Sequence, residues 1–161
     1  MSRGSLLPAT VALALAMAGC GGQGTSPLAA LQSLPENTLA YPGSVILGTI
    51  SLEATVTIDG PSNAVSGHLF GASASETDIV SFYNGKLAKT GWLPTSLNAQ
   101  PSSIETSALA WWKDHIVLRL SFLMHGNDPR LPSVADQAQF KTIFRVQLID
   151  HTSDGLGPYS S

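Results

Sequence analysis

The amino-acid sequence predicts a two-layer α+β domain, in which an antiparallel sheet of about five strands carries one main amphipathic helix on one face. Three observations support this prediction. Several segments alternate apolar and polar residues, one segment has an apolar stripe at helical spacing, and turn residues separate them. The 161 residues are 43% hydrophobic and 12% charged, which allows one folded domain with flexible ends and excludes a chain that is disordered throughout.

The first two predicted strands lie in the first half of the chain. A Pro-Gly turn at residues 41–44 precedes segment 50–58, in which five apolar residues alternate with Ser, Glu and Thr. This period of two predicts a strand with one buried face. A turn over residues 59–63 leads to a second strand over 64–72, where Gly67 and Gly71 weaken the strand pattern.

The main helix is predicted to begin after Ser75. Ser75 is a favourable N-cap, and Asp78 stands at the third helical position, as in a capping box. Gly91 ends the helix. The apolar stripe of the helix comprises Ile79, Val80, Phe82, Tyr83 and Leu87.

Three more strands are predicted after a polar loop over residues 94–103, at residues 105–112, 116–124 and 139–149. The last two alternate clearly, which assigns one face of the sheet to the core and the other to water. The core face of these two strands would carry Leu118, Leu120, Phe122, Met124, Phe140, Phe144, Val146 and Leu148.

The N-terminus has the layout of a secretory signal peptide. Arg3 gives a positive start, residues 6–17 are almost entirely apolar, and small residues precede Cys20. This apolar run is shorter than the ~20 residues that a membrane-spanning helix needs. The segment Met17-Ala18-Gly19-Cys20 resembles the lipobox of bacterial lipoproteins. The resemblance implies a diacylglycerol thioether on Cys20, cleavage before it, and acylation of the new amine by a fatty acid such as palmitate.

These features divide the chain into four parts: a signal peptide at residues 1–19, the lipidated cysteine with a flexible tether at 20–38, one α+β domain at 39–152, and a disordered tail at 153–161. Cys20 is the one cysteine of the chain, which excludes an internal disulfide. The predicted location is the outer side of a bacterial membrane, facing the cell surface or the periplasm. The alternative is an ordinary cleaved signal, or a start codon assigned too early, with Cys20 incidental.

The helix and the residues after it, Phe82-Tyr83-(xxx)-Leu87-(xxx)-Gly91-Trp92, resemble a pattern in small secreted or lipid-anchored bacterial domains. The resemblance covers roughly residues 41–150, and those domains are uncharacterised, so it carries no catalytic residue. Packing also accounts for the motif, because Gly91 ends the helix and Trp92 folds back onto it.

The sequence lacks the motifs of the common reaction types. The four histidines are widely spaced, and the phosphate-binding, nucleotide-binding, calcium and serine-nucleophile patterns do not occur. We therefore predict a protein that is not an enzyme, with no cofactor and no metal. The formal charge of −3 gives no electrostatic reason to expect nucleic-acid binding.

The predicted water-facing side of the sheet is the candidate site for a partner. It would carry Glu53, Arg119, Lys141 and Arg145 beside one tryptophan, either Trp111 or Trp112, and Trp111 is the one we select. Aromatic residues beside arginines are enriched at binding hot spots. An ordinary solvated sheet face is the alternative. The polar loop at residues 125–130 is a second candidate contact.

The function predicted from these observations is a membrane-anchored, noncatalytic binding or interaction module of the cell envelope, with an envelope protein as its possible partner. Two alternatives stay open at this point. One is a passive structural component of the envelope, and the other is a small hydrolase whose site is not visible in the linear sequence.

Overall fold

A computed structural model describes residues 25–58, 60–124 and 137–152 of the chain. The lipobox with Cys20, the loop at residues 125–130 and the tail at 153–161 lie outside these residues. Among the described residues, the helical elements are α1 (Pro27–Ser33), a short 3₁₀ helix (Pro35–Thr38) and α2 (Glu76–Ala88). The strands are β1 (Val45–Leu52), β2 (Thr55–Thr57), β3 (Gly60–Ser62), β4 (Val65–Ala72), β5 (Leu93–Thr95), β6 (Glu105–Lys113), β7 (Ile116–Leu123) and β8 (Thr142–Asp150).

In the part of the chain that the structure describes, six strands form one sheet in the order β1-β4-β8-β7-β6-β5, and each neighbouring pair is antiparallel. Strands β2 and β3 form a separate two-stranded ladder. The prediction of an α+β fold with an antiparallel sheet is thus confirmed. The predicted number of about five strands is too low, because the short edge strand β5 overlaps the start of the segment at residues 94–103 that was predicted to be a loop.

Helix α2 has the ends that the sequence predicts. The Ser75 hydroxyl accepts a hydrogen bond from the Asp78 amide, and the Asp78 carboxylate accepts one from the Ser75 amide. At the other end Gly91 has φ +83°, and the Trp92 amide donates to the Leu87 carbonyl. This closing bond is that of a Schellman motif, which satisfies carbonyls at the C-terminal end of a helix.

The main core lies between α2 and one face of the sheet. Helix α2 contributes three fully buried side chains, Ile79, Tyr83 and Leu87. The Tyr83 hydroxyl donates to the Leu39 carbonyl at 2.8 Å, so this buried polar group is satisfied. The sheet face beneath the helix carries Phe70, Trp111, Leu118, Leu120, Phe122, Phe144, Val146 and Leu148.

The domain begins earlier than predicted. Residues 27–38, assigned from sequence to the tether, form α1 and the 3₁₀ helix, and Leu31 is buried in the main core. The Ser26 hydroxyl caps α1 by accepting a hydrogen bond from the Ala29 amide, and Pro27 stands at the first helical position. A helix this short is not stable alone, so its formation depends on the packing of Leu31.

The strand predicted over residues 50–58 is also different. Strand β1 ends at Leu52, and the chain continues into β2 and β3 beyond the edge of the main sheet. Two residues lie between Leu52 and Thr55, and two lie between Ser62 and Val65 on the returning strand, so the two ladders keep one register. The described residues of this segment, 53–58 and 60–63, thus form an outward extension of the β1–β4 hairpin, here called the hairpin arm.

Candidate interaction surface

Trp111 does not lie on the sheet face where the sequence analysis placed it. Its partner across the sheet is Leu118, and its side chain is buried in the main core beneath α2. The indole N–H donates to the Asn84 amide oxygen of α2 at 3.1 Å. Trp112, the alternative, lies on the opposite face, where its ring centroid is 6.3 Å from that of His151. Trp111 therefore holds the helix to the sheet, and its burial leaves no surface for a partner.

Arg119 lies on the expected face but is buried there. Its guanidinium forms a two-pronged ion pair with Glu105 of the neighbouring strand, with Nη1–Oε1 at 2.7 Å and Nη2–Oε2 at 2.6 Å. Its remaining N–H groups donate to the backbone carbonyls of Asn98 and Gln100. This fork geometry is the one in which arginine pairs most strongly with a carboxylate. The Arg119 side chain therefore makes its hydrogen bonds within the fold and links β7 to β6 and to the segment that contains Asn98 and Gln100.

Arg145 joins the same cluster from β8, where its Nη2 pairs with Glu105 Oε1. The Glu105 side chain is fully buried, and Oε2 also accepts the Ser102 amide at 2.7 Å. Burial by itself raises the pKa of the Glu105 carboxyl, but the hydrogen bonds from Arg119 and from the Ser102 amide outweigh it and hold the pKa far below its usual range. Glu105 is therefore ionised in the folded protein and shared by two arginines.

The predicted open sheet face is covered where these arginines lie. Residues 96–104 cross it, since Asn98 and Gln100 bond to Arg119 and Ile104 packs on a second small core. That second core comprises Leu69, Leu123 and Ile143, with Leu47, Ile104 and Phe140 around it. The expectation of a half-polar face in water is thus wrong over β6, β7 and β8. Of the four charged residues predicted there, Glu53 and Lys141 are exposed.

A polar cluster fixes the base of the hairpin arm to the sheet. His151, directly after β8, is buried, with Nδ1 3.3 Å from the Asn63 amide nitrogen and Nε2 2.9 Å from that of Asn98. The Asp150 amide donates to the Ala64 carbonyl at 3.0 Å. These bonds join the end of the arm, the last strand and the covering segment, so the arm leaves the fold from a defined position.

The hairpin arm presents an apolar face that no described residue covers. Val56 is 87% exposed, Ile58 is 103% exposed, and Leu52 at the base of the arm is 57% exposed. Because the register is continuous and side chains alternate along a strand, Leu52 and Val56 lie on one face, and Pro61 lies opposite Val56 on the same face. Adjacent exposed apolar side chains of this kind mark interaction sites. We call Leu52, Val56, Ile58 and Pro61 the apolar arm face.

The other face of the arm carries hydroxyl groups. Thr55 Oγ1 and Ser62 Oγ are 2.7 Å apart across the ladder, and Thr57 Oγ1 donates to the Gly60 carbonyl. Residues 54–58 and 60–63, the described residues beyond the base of the arm, have no charged side chain. The arm is therefore an amphipathic ribbon without lysine or arginine, and the sequence places its acidic residues at the base, Glu53, and directly after Ile58, Asp59. The alternation of residues 50–58 was visible in the sequence, but its periodicity does not tell a buried face from an exposed one.

The described residues offer little for small-molecule chemistry. Among them, no group of three or more His, Cys, Asp or Glu side chains is placed to hold a metal ion. A groove of about 240 Å³ between α2 and the β5–β6 edge, lined in part by Asn84, Pro94 and Trp111, is smaller than the usual ligand pocket. A wider recess of about 510 Å³ is lined by residues 95–98 alone, all from one short stretch of chain. The apolar arm face is thus the stronger candidate for a functional surface among the described residues.

Comparisons with known proteins identify no relative. No family model matches the chain, and no curated protein or solved structure is similar to it. Within the described part of the chain, none of the helices has the length and apolar character to cross a membrane.

Proposed function

We propose that this protein is a lipid-anchored, noncatalytic interaction module of a bacterial envelope. Cys20 carries the lipid, and the apolar arm face is the surface through which the domain makes contact. The observation that carries the proposal is the near-complete exposure of Val56 and Ile58 on an arm with a fixed base. Burying such side chains against an apolar environment stabilises a contact by about 1.5–3 kcal/mol for each one fully buried.

The arginines first considered for a partner have another role in this proposal. Glu105, Arg119 and Arg145 tie β6, β7 and β8 to the segment at residues 96–104, which keeps that side of the sheet closed. In this proposal the contact surface is therefore the hairpin arm and not the sheet face. The arm, unlike the ionic cluster, can meet a partner without any change in the fold.

Cell fractionation with fatty-acid labelling tests the anchor. Wild-type protein should take up an alkyne-bearing fatty acid and remain with the membranes at high salt, because two or three acyl chains hold a protein firmly. Cys20→Ser should lose the label and accumulate unprocessed or in the soluble pool. Thr25→Ala, a change outside the lipobox, serves as the matched control and should behave as wild type. Mature, membrane-bound Cys20→Ser protein would contradict the proposal.

A further inference from the structure

We infer that the apolar arm face rests on the surface of the lipid bilayer to which Cys20 is anchored. The inference builds on the proposed function and names the partner of the arm: the apolar interface of the membrane itself. The argument uses three observations about the arm and the chain beside it. These are the short path from Cys20 to the fold, the contact of that path with the base of the arm, and the amphipathic character of the ribbon, which has no lysine or arginine.

The lipidated cysteine stands close in sequence to the base of the arm. Ser26 begins the folded part, and its Oγ donates to Glu53 Oε1 at 3.3 Å, at the point where the arm leaves β1. Six residue steps separate Cys20 from Ser26, so a fully extended chain spans at most about 20 Å. The five steps from Glu53 to Ile58 in extended strand conformation cover about 17 Å. The anchor thus keeps the base of the arm within about 20 Å of the membrane, a distance close to the length of the arm.

The chemistry of the arm suits a lipid interface. An amphipathic element lies in the interface plane with its apolar side among the acyl chains and its polar side toward headgroups and water. Val56, Ile58 and Pro61 supply the apolar side, and the hydroxyls of Thr55 and Ser62 supply the other. The paired backbone of β2 and β3 satisfies part of its hydrogen bonding internally, as contact with lipid requires.

The lack of lysine and arginine in residues 53–63 defines the kind of contact, since the charged residues of this segment, Glu53 and Asp59, are both acidic. Binding through a basic cluster would depend on anionic lipids and on salt. An arm without lysine or arginine at these described positions binds through apolar burial alone, so zwitterionic lipid suffices. Two points of attachment, the acyl chains and the arm, then hold the domain in one orientation, because the second contact is made at high effective concentration.

Site-specific fluorescence tests this arrangement in the full, lipidated chain. The one natural cysteine is acylated in the proposed protein, so Ile58→Cys can be labelled alone with a maleimide carrying an environment-sensitive dye. Leu93→Cys is the matched control: Leu93 is also an exposed aliphatic residue, at 66%, and it lies on β5 at the opposite edge of the sheet. Both proteins are reconstituted into phosphatidylcholine vesicles, with and without nitroxide-bearing phospholipid.

The dye at position 58 should be quenched by nitroxide lipid and protected from aqueous iodide. The dye at position 93 should be quenched by iodide and unaffected by nitroxide lipid. If the arm is membrane-bound in at least half of the molecules, iodide quenching at 58 falls by about twofold or more relative to 93. Equal iodide quenching at both positions, in protein whose lipid on Cys20 is verified by mass spectrometry, would overturn the inference and leave the proposed function standing.

Two other results also decide the question. Protection from iodide without quenching by nitroxide lipid would assign the arm to contact with a second copy of the chain and overturn the inference. Labelling of unmodified wild-type protein by the maleimide would show a free Cys20 thiol. That result would refute the anchor, and the membrane contact with it.

Discussion

Replacing Glu105 by glutamine tests the buried ionic cluster most directly, because the amide keeps the size of the side chain and removes its charge. Glu105 is fully buried, and the side chains of Arg119 and Arg145 are 10% and 13% exposed. The variant leaves two arginines in a closed site without a carboxylate. Removing one partner of a buried ion pair costs about 3–5 kcal/mol of folding free energy, and we expect Glu105→Gln to fall within this range.

Urea unfolding of the purified protein in detergent, followed by tryptophan fluorescence, measures this loss at pH 7. The exposed Glu53→Gln change is the control and should alter the free energy of unfolding by no more than about 0.5 kcal/mol. A loss below about 1 kcal/mol for Glu105→Gln, typical of exposed ion pairs, would refute the claim that residues 96–104 cover the cluster.

The lowered pKa of Glu105 also predicts how the stability difference between wild type and Glu105→Gln depends on pH. The pKa of Glu105 is lowered in the folded state, so its contribution is complete above the unfolded value of about 4.3 and is lost as the pH falls below it. The stability difference between wild type and Glu105→Gln should therefore be constant from pH 6 to 8. Below about pH 4 it should shrink by up to about 1.4 kcal/mol per pH unit. A difference that grows on acidification would show that Glu105 is not held ionised.

Three further substitutions, one of them paired with a glycine-to-alanine control, test the fold by urea unfolding. Leu31→Ala should cost about 2–5 kcal/mol because α1 belongs to the core, and a loss below about 1 kcal/mol would return residues 27–33 to the tether. Gly67→Ala should destabilise the protein by about 1–3 kcal/mol, since the new Cβ would lie 2.1 Å from a backbone carbonyl oxygen of β8. Gly85→Ala, in an open part of α2, is the control and should be neutral or stabilising. Equal effects of the two changes would contradict the close approach of β4 and β8 at Gly67. Tyr83→Phe should cost about 1–2 kcal/mol because the partly buried Leu39 carbonyl loses its donor, and an unchanged midpoint would mean that water replaces the hydroxyl.

The parts of the fold that were predictable from sequence depend on neighbouring residues. The capping box of Ser75 and Asp78 uses side chains three positions apart, and the glycine at position 91 permits the closing turn of α2. Strands β6, β7 and β8 likewise follow from alternation within single segments. Helix α1 was missed because its seven residues have little helical stability of their own, and its main support is the distant core around Leu31.

The candidate site could not be predicted in the same way. Alternation correctly placed Arg119 and Arg145 on the face away from α2, but it carried no information on what covers that face. Residues 96–104 cover it through contacts with Arg119 and Glu105 from elsewhere in the chain. Trp111 and Trp112 are adjacent, and only the pairing of β6 with β7 decides which of them points toward the helix.

The sequence by itself determined the α+β class, the ends of the main helix and the alternating strands, because each is decided by interactions among residues close together in the chain. The tertiary structure decided which faces are buried. It closed the sheet face over Glu105 and left Val56 and Ile58 exposed on the arm. The physical reason is that burial depends on which distant segment arrives at a surface, and the local pattern of Val56 and Ile58 would be the same whether or not another element packed against them.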